Sequence, residues 1–72
     1  MDRAEHLDWC KTRALAYVDK GDLHNAFASL VSDLRKHPET ENHRAGELGM
    51  MLMMGGFLSS ERDMRQFIEG CN

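Results

Sequence analysis

The sequence predicts an all-α fold, a small bundle of four short helices, on three observations. Apolar residues recur at spacings of three and four over most of the chain, and no stretch sustains the alternation of a strand. Asp2, Asp22 and the Ser59-Ser60 pair stand just ahead of such stretches, where a side-chain oxygen can accept from the free N–H groups of a first helical turn. Gly21, Pro38, Gly55-Gly56 and Gly70 stand at their ends.

The first helix is expected over residues 3–20. Asp2 caps it, and Glu5 three positions on approximates a capping box. Ala4, Leu7, Cys10, Ala14, Tyr17 and Val18 form its buried stripe, and Gly21 fits the position past its end that favours positive φ. Asp22 then caps the second helix, whose apolar face is Leu23, Ala26, Phe27, Leu30, Val31 and Leu34. Pro38 disfavours helical backbone at His37 and ends it there. The short Gly21-Asp22 junction makes the two helices an antiparallel hairpin, and residues 38–42 form a turn.

The third helix is expected from Asn42 or His43 to Gly55-Gly56. Leu48, Met50, Met51, Leu52, Met53 and Met54 occupy its whole circumference, so it should be buried all round. That makes it either the central helix of the bundle or a self-association surface. Gly46 and Gly49 share a flank where another backbone can approach, each costing about 1 kcal/mol of helix propensity. Ser59 or Ser60 caps a short last helix with Met64, Phe67 and Ile68 inward, stopped by Gly70.

At 72 residues the chain is one small domain, and 42% hydrophobic with 29% charged residues indicates folding rather than disorder. A net charge of -3 argues against non-specific nucleic-acid binding. Cys10 and Cys71 are far apart without a CxxC spacing, which suggests reduced thiols in a cytosolic compartment. Residues 1–20 are charged throughout and contain no secretory apolar core, and the apolar run 48–58 is far short of a membrane span. A cytoplasmic protein without membrane partners is expected.

His6 and Cys10 share a helix face and could supply half of a zinc site, but His24, His37, His43 and Cys71 lack finger-like spacing to complete it. The expected arrangement is a buried cysteine beside a surface histidine, with no metal or cofactor. No nucleophile elbow, zinc-protease, P-loop or dinucleotide motif occurs. Ser32 and Asp33 diverge by about 100° on their helix, and Glu39, Glu41 and Glu47 read as solvated acids. The chain is therefore not expected to be an enzyme. Helix two offers Asp22, His24, Asn25, Ser29, Ser32 and Asp33 outward, poor phosphate partners, which argues against DNA binding.

Two binding surfaces remain. The methionine-rich segment, flanked by Gly46, Gly49, Gly55 and Gly56, suits an intersubunit or partner contact through Trp9, Leu48, Met50, Met51, Met53, Met54 and Phe57, and a homo-oligomer is expected. Arg35, Lys36 and His37 complement the dipole at the end of helix two. Arg35 and Lys36 could also converge with His43 and Arg44 on a phosphate, and Arg62 and Arg65 share a face of the last helix.

Ala16, Tyr17, the turn Lys20-Gly21-Asp22, Ala26 and Pro38 together make residues 9–38 resemble one tetratricopeptide repeat, although Trp9 lies one position from that family's early tryptophan and Ala14 replaces a glycine. The resemblance implies a helix-turn-helix hairpin and a protein-binding habit. A single repeat builds no solenoid groove. Segments 4–11, 33–40 and 67–70 also make the chain similar to small proteins encoded by bacteriophages. That resemblance implies an accessory or counter-defence product that neutralises a host component in the host cytoplasm by stoichiometric protein–protein binding. The alternative expectation is a homo-oligomeric sponge for a nucleotide or other phosphorylated signal.

Overall fold

The computed structural model describes residues 2–38, 40 and 44–71. Among them the chain is all-α, with α1 (Arg3–Asp19), α2 (Leu23–Leu34), α3 (Arg44–Met54) and α4 (Glu61–Glu69). Each expected cap forms where an aspartate or serine precedes the helix. Asp2 accepts from the Glu5 N–H at 2.8 Å, Asp22 from Asn25 at 3.2 Å, and Ser60 from Asp63 at 3.1 Å.

The helix ends follow from backbone chemistry. Past α1, Gly21 has φ +75°, and the Gly21 and Asp22 N–H groups donate to Val18 O and Tyr17 O. Gly56 repeats this after α3 with φ +80°, as Gly56 and Phe57 donate to Met53 O and Leu52 O. Both are the double-bonded left-handed termination that glycine permits without a Cβ penalty.

α2 stops at Leu34, three residues sooner than Pro38 alone predicts. Thr40 is the reason. It is fully buried, and its hydroxyl donates to the Leu34 carbonyl at 2.6 Å. Glu39, Glu41, Asn42 and His43 lie outside the described residues, so the turn expected over 38–42 is seen only at Pro38 and Thr40.

α1 and α2 form the hairpin, α4 packs across α1 and the flank of α2, and α3 rests chiefly on α2. The core is drawn from Leu7, Cys10, Ala14 and Val18 of α1, Ala26, Phe27, Leu30 and Leu34 of α2, and Met64 and Ile68 of α4. α3 gives this core only Ala45, with Gly49 buried beside it. Of the two expected placements, the central helix of the bundle is corrected: α3 is peripheral. Phe27 and Phe67 stand 6.4 Å apart between centroids, and a Cβ at Gly49 would clash with Phe27 and come within 3.0 Å of Phe67. The close approach serves two aromatic rings rather than another backbone. Gly46 meets nothing within 4 Å.

Among the described residues no helix is long and apolar enough to cross a membrane.

Candidate functional site

Two regions of the hairpin and its attached helix carry side chains beyond plain packing. The first is a polar clasp between α1 and α2. Asp33 sits at 1% exposure, where the spacing 26-30-33 places it on the buried side of α2. Arg13 Nε reaches its carboxylate at 2.7 Å, Lys36 Nζ at 3.1 Å, and the Ser29 hydroxyl donates at 3.4 Å. Both cations also lie over the ring of half-buried Trp9, at 4.8 Å for Arg13 and 5.5 Å for Lys36. The reading of Asp33 as an outward residue is corrected: two partners and a hydroxyl compensate its burial.

His6 is likewise buried, at 5% exposure, and is not the surface histidine expected beside Cys10. Its Nε2–H donates to the Asp33 carbonyl at 2.8 Å, which fixes the tautomer, because a carbonyl oxygen only accepts. The ring stacks near Trp9 and His37, at 5.6 and 5.0 Å between centroids. Cys10 Sγ lies 3.5 Å from the same Nε2. That nitrogen already carries a proton committed elsewhere, so it is not placed to deprotonate the thiol. Burial, then the nearby Asp33 charge, pushes the Cys10 pKa up to about 11. Burial also raises that of Cys71, whose thiol donates to Phe67 O at 3.4 Å. Neither thiol is a nucleophile near neutral pH. Among the described residues no three His, Cys, Asp or Glu side chains are grouped to hold a metal ion.

The second region is the outer face of α3. Ala45, Gly49, Leu52 and Met53 turn toward the body of the protein. Leu48, Met50, Met51, Met54 and, past the helix, Phe57 turn away, with Met51 70% and Met54 82% exposed. A groove of about 620 Å³ opens between α2 and α3, with Phe27, Ala28 and Val31 facing Met50 and Met53 and with Arg35 and Lys36 also on its lining. On the far side of α3 a second hollow of about 470 Å³ holds Leu48, Arg44 and Phe67.

The predicted residues therefore separate. Leu48, Met50, Met51, Met54 and Phe57 form an exposed set, Met53 is half-buried under it, and Trp9 belongs to the clasp. Arg35 and Lys36 line one hollow and Arg44 the other, and Lys36 pairs with Asp33. His43 lies outside the described residues. Arg65 pairs with Asp19 at 2.8 Å and ties α4 to the end of α1. Sequence reasoning missed the clasp, although the helical positions of His6, Cys10 and Asp33 carried the signal. Compared with known proteins, the chain matches no family model, no curated protein and no solved structure.

Proposed function

We propose that the protein acts without catalysis, as a stoichiometric protein-binding module whose contact surface is the outer face of α3. One observation carries this reading: Leu48, Met50, Met51, Met54 and Phe57 expose large apolar side chains along one helix and the turn after it. Contiguous apolar patches on small proteins mark contact sites, and methionine adapts its shape to a partner. The similarity to phage-encoded proteins makes a bacterial host protein the partner class, bound and neutralised in the host cytoplasm. A second copy of the chain is the competing occupant of the same face.

Affinity capture from a bacterial lysate tests the proposal, using the protein and its Met51→Glu/Met54→Glu variant. The expected result is a partner retained in one-to-one ratio by the former and lost by the latter at unchanged melting temperature. Equal recovery by both removes the α3 face from the function. The sponge for a phosphorylated signal draws less support, because Arg44 is directed to a different hollow from Arg35 and Lys36. A melting temperature raised by millimolar nucleotide would favour it instead.

A further inference from the structure

We infer that the groove between α2 and α3 receives an amphipathic helix of another protein, seated by apolar side chains and tied at one end by a carboxylate to Arg35. This rests on the protein-binding reading above and specifies the chemistry of the partner.

The groove exists because its walls carry minimal side chains at two positions. Ala28 on α2 is exposed, and Gly46 on α3 leaves open space where a Cβ would stand. Around that gap the surface is apolar, from Phe27 and Val31 on one wall to Met50 and Met53 on the other. Both walls are helices, so no sheet edge is offered to an extended peptide. A helix laid between two helices is the remaining common mode of peptide recognition in an apolar groove. From His24 to Arg35 the α2 wall runs about 16 Å at the usual helical rise. That is about three turns, long enough for a docked helix to place anchors at i, i+3 or i+4, and i+7, which span about two turns.

Charge fixes the end. Among the described residues the ionisable side chains on the lining are His24, Arg35 and Lys36, all basic, although the chain carries a net charge of -3. Lys36 already faces the Asp33 carboxylate at 3.1 Å. Arg35 is exposed and has no carboxylate partner among the described residues. A guanidinium beside an apolar trough pairs with a planar carboxylate through two parallel hydrogen bonds, so an Asp or Glu next to the apolar stripe of the partner completes the fit.

The test is selection from a displayed library of random peptides about 16 residues long on the immobilised protein. Enriched sequences are then measured against Arg35→Glu and Ala28→Gln, both exposed positions whose folding is checked by circular dichroism and melting. The expected peptides have apolar residues at helical spacing and one acidic residue beyond them. They bind each variant about tenfold more weakly, and replacing the peptide acid by lysine restores binding to Arg35→Glu. Failure to enrich any such peptide, or equal affinity for Arg35→Glu, overturns the proposal. So does a micromolar dimer in sedimentation that Ala28→Gln dissociates, since the occupant is then a second copy. A captured partner lost with Met51→Glu/Met54→Glu but kept by Arg35→Glu and Ala28→Gln overturns the groove alone and leaves the outer α3 face in place.

Discussion

Asp33 is tolerated inside so small a protein because three donors reach its carboxylate, yet two of those donors keep one side in water. Arg13 and Lys36 are each about half exposed while the carboxylate is at 2%. Deleting Asp33 therefore does not strand buried cations, and Asp33→Ala is expected to lower stability by about 2 kcal/mol in urea titration, below the roughly 3–5 kcal/mol that follows when a buried charge loses its partner. Lys36→Ala is expected to cost only about 0.5 kcal/mol, because Arg13 and Ser29 still hold the carboxylate. Cys10 adds a pH signature. Its folded pKa of about 11 lies above the ordinary 9.0, so between those values the unfolded chain binds fewer protons than the folded one. The contribution of this group is thus fully present below pH 9 and is lost as pH rises toward 11. Comparing alkaline denaturation of the protein and Cys10→Ala isolates that part, and identical pH profiles would show that the thiol is not responsible. The position of Asp33 was present in the helical spacing, but its counter-ion Arg13 lies 20 positions away, and a tertiary pairing of that kind has no local pattern.

The three N-caps and the two glycine terminations were legible because each involves neighbours within five residues. The early end of α2 was not, since it depends on Thr40 folding back onto Leu34. The environment of α3 was also hidden, because an all-apolar circumference states what a helix would bury and not what is available to cover it. Its two glycines separate these effects. Gly49→Ala gains helix propensity but drives a methyl group into Phe27, and should destabilise by about 1–3 kcal/mol or lift α3 from α2. Gly46→Ala meets open space and should stabilise by up to about 1 kcal/mol. Urea titration of both variants reads the two signs, and a shared sign would mean that α3 is not packed through Gly49. Amide exchange belongs with this picture: with one buried apolar side chain to hold it, α3 should exchange faster than α1 and α2.

Exposure along α3 is not slack in the fold. The radius of gyration is 11.1 Å, against about 11 Å for a compact chain of this length. The accessible surface is 4689 Å², against about 4500 Å² for a folded monomer of this mass. The molecule has closed as far as a globular protein closes, and among the described residues the exposed large apolar side chains are confined to one helix and the turn after it. Five large apolar side chains, each more than half exposed, stand together there, the kind of contiguous patch that marks a contact site on a monomer. If that face is surplus to folding, polar replacement should leave stability alone while removing the patch. Met51→Glu/Met54→Glu is expected to stay within about 0.5 kcal/mol of the parent in urea titration, because both side chains stand mostly in water. The parent should bind an apolar fluorescent dye in its native state, and the variant should bind much less. A loss of stability beyond about 2 kcal/mol would make these methionines part of the fold itself, and unchanged dye binding would place the open apolar surface elsewhere on the protein.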